Sequence, residues 1–501
     1  MRKQRKQKRK KNDISLNFLI ENEIKNSKLR TFFPKHFKYF SASNFIERKK
    51  EHDDLTKIGF VTIDNDDSKD FDDAVFVKKR KDFLEIFVAI ADVSYYVKPN
   101  DIFDLEAKKR GNSFYLPNRV IPMLPEFLSN DLCSLVPGKK RKCIVLKSKI
   151  DFEGNILNSK FSRSIIISKE RLTYKKVEEI YYDKKIKNKT IDDLFFCYKI
   201  LKKKSEARGK IDFNLNNFKI IFSKSKIKIK KSKELKSTKI IEELMIFANE
   251  VVAKILSKKK IKSIYRNHEK PSEEKIKKLV DVLGKLNIDT NNDFIKKNQY
   301  QNKILNLKDH PKFFFLKDIL LRCQSKAFYH HQNIGHFGLG LSYYTHFTSP
   351  IRRYSDLLVH RTLCENLFER KKNEVETIND SLCEHLLIQE KKGEFIEREL
   401  MEKACCIYIK KMKIKKFTGY IDGLTNFGIF VKAIELPFSG LLKFKDLIDD
   451  FYEFDEKNEI IFGKRTNKNF KLGQKVSFKV IGVNIVKGQI TINNLKHLNE
   501  K

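Results

Sequence analysis

Apolar positions along the chain change their period from one region to the next. Residues 14–30 carry Ile14, Leu16, Phe18, Leu19, Ile24 and Leu29 at helical spacing, which predicts a short amphipathic helix that ends before Pro34. From Ile58 the texture becomes strand-like, with Phe60–Ile63, Ala74–Val77 and Leu84–Val93 as expected strands. A long α/β body then runs to about Lys410. Within it, Ile241, Leu244, Met245, Ala248, Val252 and Ile255 predict a helix over Thr238–Leu256. Past Met412–Phe417 the pattern changes to five short β-type runs separated by glycine turns: Gly419–Ile421, Gly428–Val431, Gly440–Leu442, Val476–Val480 and Gln489–Ile492. Five such strands in so short a stretch suit a small Greek-key barrel of the OB kind. The expected fold class is therefore α+β, with a mixed α/β domain over 58–410 followed by an all-β barrel over 411–497. A basic arm (1–12) and a helix with its connector (13–57) come first. No internal repeat is visible.

Composition narrows the function. The 501 residues are 41% hydrophobic and 12% aromatic, enough for a substantial core. Lys and Arg total 105 against 65 Asp and Glu, a formal net charge of +40 that points to polyanionic partners. Abundant Lys, Asn, Ile and Phe with no Trp is also what AT-rich codons produce, so charge alone does not decide between nucleic acid and mutational bias. The lysine runs at 202–204, 224–233 and 258–262 read first as solvated faces. Eight of residues 2–11 are Lys or Arg, but no apolar signal core follows them. No stretch of about 18 apolar residues is present, so no membrane partner is expected and the compartment is the cytoplasm. The eight cysteines form no C-x-x-C pair, which argues against a disulfide framework and a structural zinc site. Zincin and P-loop signatures are also missing.

Two clusters carry chemistry. In Thr62–Asp73, Asp64 closes an apolar strand, and Asp70, Asp72 and Asp73 precede another. A tight loop between such strands holds four carboxylates close together, which is costly unless cations neutralise them. Mg²⁺, with Mn²⁺ as the substitute, is the matching hard cation, and paired ions of this kind serve phosphodiester hydrolysis. A solvated acidic loop is the plain alternative. The second cluster runs from Gly335 to Leu341 and from Tyr344 to Tyr354. Ser349–Pro350 reads as a helix start, with Arg352 and Arg353 in its first turn as guanidinium forks for phosphate. The competing role is an i,i+4 bridge from Arg352 to Asp356. His336, His346 and His360 are as readily structural as catalytic.

Taken together, these residues resemble the ribonuclease II/ribonuclease R superfamily of 3′→5′ exoribonucleases, the ribonuclease R branch most richly. The resemblance rests on T-I-D-x5-D-x-D-D, on Arg110–Pro125, Leu128–Leu135, Ile240–Ala253 and Tyr265–Glu269, and on the blocks from Gly335 to Tyr354. Residues 413–493 resemble the RNA-binding OB domain of the ribosomal-protein-S-one type, through Gly419, Phe427–Val431 and Gly440–Leu441. The resemblance implies processive hydrolysis of RNA from its 3′ end to nucleoside 5′-monophosphates with Mg²⁺. It implies Asp64, Asp70 and Asp73 as metal-organising carboxylates, Asp72 as the indispensable one, and Arg352 on the scissile phosphate. Tyr115 would stack on the 3′-terminal base with Phe213 as its clamp, and Arg353 would join the RNA contacts. Phe427, Phe430 and Lys443 would form an aromatic platform in a cationic rim. Partners are single-stranded RNA 3′ ends, with structured RNA and the ribosome as extensions, no small-molecule cofactor, and a monomeric enzyme.

Departures from the family pattern are specific. Family members usually carry two cold-shock-type domains ahead of the catalytic one, where only about 55 residues precede Ile58 here. The basic arm offers a salt-sensitive, non-specific substitute. Ala89 and Tyr95 stand where histidines are usual, and Lys443 replaces the residue that commonly follows the barrel's Gly-Leu-Val. An inert RNA-binding relative would be expected to have lost one of the four aspartates, and all four are present. A membrane-surface role lacks an amphipathic anchor or a lipidation motif.

Overall fold

The computed structural model describes residues 15–41, 52–212, 218–288, 306–368 and 378–498, apart from positions 184, 224–225, 233, 414, 448 and 457. The basic arm at 1–12 and Phe213 lie outside the described residues.

A seven-stranded sheet forms the centre of the larger domain. Its strands are β1 (Asp53–Asp54), β2 (Val61–Asp64), β3 (Asp73–Lys79), β4 (Leu84–Ala91), β7 (Lys140–Ile150), β8 (Ile156–Ile167) and β9 (Glu170–Thr173), in the order β1-β8-β7-β4-β3-β2-β9. A two-stranded hairpin, β5 (Phe114–Tyr115) and β6 (Val120–Ile121), lies between β4 and β7 in the chain. All eight residues of β4 are buried, which explains the apolar run of Ile86–Ala91: a central strand covered on both faces has no polar side, and the one charged residue, Glu85 near its start, is met by Arg80 at 2.7 Å. That strand stops at Ala91, short of the expected Val93. Asp92 caps a single helical turn by accepting from the Tyr95 N–H, which takes the backbone out of the ladder. β2 and β3 pair only at Val61 and Val75, so the acidic segment between them diverges from the sheet as a loop.

Helices cover the sheet and extend beyond it. They are α1 (Leu16–Asn26), α2 (Ile102–Arg110), α3 (Tyr174–Tyr182), α4 (Lys189–Ala207), α5 (Lys236–Lys258), α6 (Glu273–Lys285), α7 (Phe313–Cys323), α8 (Tyr354–Leu367) and α9 (Asp380–Met412). α1 is shorter than its apolar pattern suggests. Ser15 caps it, and Lys28 turns left-handed (φ 50°) just beyond its end. Leu16, Leu19, Ile20 and Ile24 pack into the cluster that includes Ile396 and Leu400 of α9. α5 contains the expected Thr238–Leu256, extends two residues beyond it at each end, and buries Ile240, Ile241, Leu244, Phe247 and Val251. Between α4 and α5 lies a ribbon of β10 (Phe218–Ser223) and β11 (Lys226–Lys231), and the strands β12 (Tyr265–Asn267) and β13 (Phe328–His330) pair farther on.

The C-terminal strands close a barrel in the order β14 (Lys416–Thr425), β15 (Gly428–Ala433), β16 (Ser439–Lys443), β21 (Gln489–His497), β20 (Lys475–Asn484). Each of the five expected runs falls inside one of these strands. Phe417, Ile421, Ile429, Val431, Leu442, Val476 and Phe478 fill the interior. The pattern does not announce the three-stranded sheet β17 (Tyr452–Asp455), β18 (Ile460–Gly463) and β19 (Asn469–Lys471) inserted between β16 and β20. Its outward positions mix Glu453, Phe462 and Lys471 and give no clean alternation.

Candidate active site

The acidic loop is held from three sides. The Arg171 guanidinium on β9 donates to the carbonyl oxygens of Asp66 at 2.7 Å and of Asn65 and Ser68 at 3.3 Å. The Ser134 hydroxyl donates to the Lys69 carbonyl at 2.8 Å and accepts from the Phe71 N–H at 2.9 Å. The Ala91 N–H donates to the Asp72 carbonyl at 2.9 Å, fixing the carboxylate at the edge of β4. No motif marks Arg171 as functional, and Ser134 sits unremarked in the Leu128–Leu135 segment. The only signal for either is a polar residue beside an acidic loop whose backbone needs donors and acceptors.

Asp64, Asp70, Asp72 and Asp73 all line one cavity of about 510 Å³, together with Tyr115, Tyr174, Glu242, Asn249, His346, Arg352 and Arg353. The Asp72 Oδ1 accepts from the Ile351 N–H at 2.8 Å, and its Oδ2 lies 3.4 Å from the Arg352 Nε. Arg352 also donates to the Ser349 hydroxyl at 2.9 Å, and the rest of its half-exposed guanidinium faces the cavity. The Tyr115 hydroxyl donates to the Asp70 Oδ2 at 2.8 Å, while its ring is 47% exposed, an available face rather than a core aromatic.

The Ser349–Pro350 step does not begin a helix. The Arg352 and Arg353 N–H groups bond to the Ser349 carbonyl in a turn, the Tyr354 N–H bonds to Gly111, and α8 starts at Tyr354 with Arg353 as N-cap. The physical cause is Asp356, which is fully buried. It accepts from the Ser349 N–H at 2.8 Å and from the Arg353 guanidinium at 2.7 Å, drawing the chain into the turn. The expected anion site at a helix N-terminus is therefore absent. The bridge to Asp356 belongs to Arg353, not Arg352. Arg353 still reaches the cavity wall, but its charge is already matched, which leaves Arg352 as the phosphate-facing arginine.

The histidines resolve as structural. The His360 ring bonds to the Phe347 carbonyl at 2.7 Å, the His346 Nδ1 meets the Tyr329 hydroxyl at 2.8 Å, and His336 caps a short 3-10 turn. Burial drives all three towards the neutral form, with His336 lowered to about 3. That turn belongs to the Gly335–Leu341 block. Gly340 is left-handed (φ +65°), and a Cβ there would lie 2.3 Å from the Arg208 carbonyl oxygen. The bare glycine lets this block dock on Arg208–Ile211, where the Ile211 N–H bonds to Gly338.

The electrostatics of the aspartates test whether cations fit. Burial and the charge of Asp70 lift Asp64 to about 7. Burial lifts Asp72 to about 8 against the pull of Arg352, and Asp73 is raised well above its ordinary value by burial and by Asp64 and Asp72. The Asp73 Oδ2 is buried without a hydrogen-bond partner. Carboxylates packed this way are short of positive charge, and a hard divalent cation supplies it. Among the described residues, three His, Cys, Asp or Glu ligand atoms converge within 4.8 Å only at His330, His331 and Asp380. The four aspartates are more widely spread, a spacing that suits cations keeping water or phosphate oxygens in their shells. At the histidine group, the His330 Nδ1 accepts from the Gln332 N–H, so its Nε2 carries the proton and faces Asp380 as a donor. That ring has no lone pair free for a metal.

On the barrel, Phe427 is 54% exposed and meets Phe430 edge-on at 6.0 Å, so this pair stands outside the apolar interior. Lys443 ends β16 opposite Gly428, next to Phe427 in the chain fold.

An RNB domain matches residues 52–369, and with more than half of the chain covered, the chain belongs to the RNB family. It is 36% identical over 463 residues to Ribonuclease R of Mycoplasma genitalium, covering 88% of this chain and 63% of that protein. The solved structure of that ribonuclease in complex with ribose-methylated single-stranded RNA superposes with a TM-score of 0.88 at 32% identity, covering 97% of this chain and 78% of the other. Its complex with double-stranded RNA gives 0.83 at 30% identity, covering 96% and 83%. Yeast Ssd1, described as a pseudonuclease, shares the fold alone, at 17% identity and a TM-score of 0.72 over 89% of this chain and 58% of its own. The chain spans about three fifths of the length of the curated relatives it matches, 63% and 57% for the first two. No helix among the described residues is long and apolar enough to cross a membrane.

Proposed function

We propose that this chain is a metal-dependent 3′→5′ exoribonuclease that shortens RNA by one nucleotide at a time and releases nucleoside 5′-monophosphates. The observation that carries this reading is the intact constellation of Asp64, Asp70, Asp72 and Asp73 around one cavity, with Arg352 set against Asp72 at 3.4 Å. A fold retained only for binding would not keep three carboxyls in a state that destabilises the empty protein.

The reaction breaks the P–O3′ bond ahead of the terminal nucleotide. Water adds to phosphorus, the phosphate stays on the departing nucleotide, and the shortened RNA keeps a 3′-hydroxyl after taking up a proton. The four aspartates would hold Mg²⁺, or Mn²⁺ in its place, and the bound cations would lower the pKa of water and offset charge on the phosphate. Arg352, steadied by Ser349 and Asp72, is oriented to grip the phosphate before and during the displacement. Tyr115, tethered by its hydroxyl to Asp70, offers its ring to the 3′-terminal base, which suits an enzyme indifferent to sequence. Phe427 and Phe430 supply a second stacking surface on the barrel. The eight cysteines are buried thiols outside any disulfide, which supports a reducing, cytoplasmic setting.

The test is a gel time course on 5′-labelled single-stranded RNA with Mg²⁺, comparing wild type with Asp72→Asn. A collapse to a few-nucleotide end product with wild type alone is the expected result. If both proteins only retard the RNA, the chain is an RNA-binding protein that has lost catalysis.

A further inference from the structure

The lysine run at 224–233, read along the sequence as one more solvated face, acquires a direction in the fold together with Lys219. In the β10–β11 ribbon the register sets Lys219 directly opposite Lys230, with Ile221 opposite Lys228. These residues share one face, and Lys219, Ile221, Lys228 and Lys230 are exposed. The other face carries Ile227 and Ile229, both buried, with Phe218, Ile220 and Phe222 packed beside them in the cluster that holds Ile396 and Leu400 of α9. The ribbon therefore cannot turn over to hide its lysines. Like charges placed directly across a strand pair are unfavourable, and neither strand contains a carboxylate to relieve them. An apolar face alone would suffice to seat the ribbon.

Its position links the two halves of the molecule. Upstream, the segment Gly209–Asp212 leads into the ribbon, and Lys210 bonds Glu242 at 2.5 Å on the wall of the aspartate cavity. Downstream, α5 starts at Lys236 and lines the same cavity. At the ribbon's end, Lys231 and the barrel's Lys432 both act electrostatically on Lys317 of α7. Lys432 lies on β15, two residues beyond Phe430. Lys432 is paired with Asp318, and Lys210 with Glu242 and Glu243, so among these groups the positive charge turned to solvent is that of the ribbon's Lys219, Lys228 and Lys230.

We propose that the β10–β11 ribbon is a rail for the phosphate backbone of single-stranded RNA, with Lys219, Lys228 and Lys230 contacting phosphates upstream of the nucleotides held in the cavity. The proposal rests on the exoribonuclease reading and adds to it a binding surface outside the aspartate site. Contacts of this kind are sequence-blind and salt-dependent, because each neutralised phosphate releases counterions.

The experiment measures RNA binding by the full chain in EDTA, so that no hydrolysis intrudes, across a salt series. Two RNAs are compared: one of about five nucleotides, which fills only the cavity, and one several times longer. The proteins are wild type, the triple variant Lys219→Gln, Lys228→Gln, Lys230→Gln, and the charge-retaining triple variant Lys219→Arg, Lys228→Arg, Lys230→Arg. For the long RNA, removing three contacts should lower the slope of log affinity against log salt by about 2 and weaken binding at low salt by roughly tenfold or more. The short RNA should lose less than about twofold and the arginine variant should bind as wild type does. Unchanged slope and affinity for the long RNA would overturn the rail and return these lysines to plain solvation. Equal losses for both RNAs would also overturn it, placing the lysines' effect at the cavity. If wild type binds neither RNA at any salt, the failure lies with the exoribonuclease reading itself.

Discussion

Replacing Asp72 with Asn should make the metal-free protein more stable at alkaline pH while weakening its response to Mg²⁺. Asp72 is 5% exposed and its carboxyl is raised from 3.8 to about 8 by burial. A carboxyl that titrates higher in the fold than in the unfolded chain favours the fold while protonated. That contribution is fully present below about pH 4 and is lost as pH rises through about 8. At about 1.4 kcal/mol per pH unit, ionising this group without a cation costs up to about 6 kcal/mol. Asn avoids that cost and can still accept from the Ile351 N–H, but it gives up the attraction of Arg352 and sets an amide N–H₂ towards its Nε. A net gain of about 1–3 kcal/mol is expected at pH 8.5, and little difference at pH 5.5. Thermal midpoints in EDTA at the two pH values, repeated with Mg²⁺, read this out. Wild type should melt lower at pH 8.5 than at 5.5 in EDTA and recover with Mg²⁺, whereas Asp72→Asn should lose less with pH, since only Asp64 and Asp73 still titrate, and should recover less with Mg²⁺. A variant no more stable than wild type at pH 8.5 in EDTA would refute the reasoning, and so would an equal Mg²⁺ response in both proteins.

Three further outcomes follow from the same geometry. Arg352→Ala should slow single-turnover hydrolysis by about 10²–10³-fold, and Arg352→Lys should recover only a small part, since an ammonium cannot hold the Ser349 hydroxyl and a phosphate as a planar fork does. Arg171→Met should free the carbonyls of Asn65, Asp66 and Ser68 and raise the Mg²⁺ concentration for half-maximal activity by about three- to tenfold, with a parallel weakening of Mn²⁺ binding followed by electron paramagnetic resonance. Gly340→Ala should destabilise the protein by about 1–3 kcal/mol in thermal or urea melts, because the added Cβ meets the Arg208 carbonyl at 2.3 Å from a left-handed backbone.

Local pattern carried much of this. The five barrel strands, the long helix around Thr238–Leu256 and the acidic loop were legible because each depends on the identity and spacing of neighbouring residues. The lengths of α1 and β4 were less so, since Lys28 and Asp92 end those elements through backbone turns that hydrophobic period does not register. The sheet β17–β19 escaped because mixed outward positions leave no alternation to read.

The sequence by itself determined the family, the four aspartates within one short segment and the aromatic candidates, since all of these are matters of residue type at fixed spacing. Tertiary structure decided which arginine is available. Asp356 is nearer in sequence to both arginines than Asp72 is, yet it binds Arg353 and the Ser349 N–H, and the turn so formed sends Arg352 to a carboxylate 280 residues away in the chain. It also decided that the lysines of the ribbon face one way, because cross-strand register, unlike composition, sets which side chains share a surface. Spacing fixes what a short segment can do. Which partner a buried charge takes depends on what the rest of the chain leaves unpaired around it.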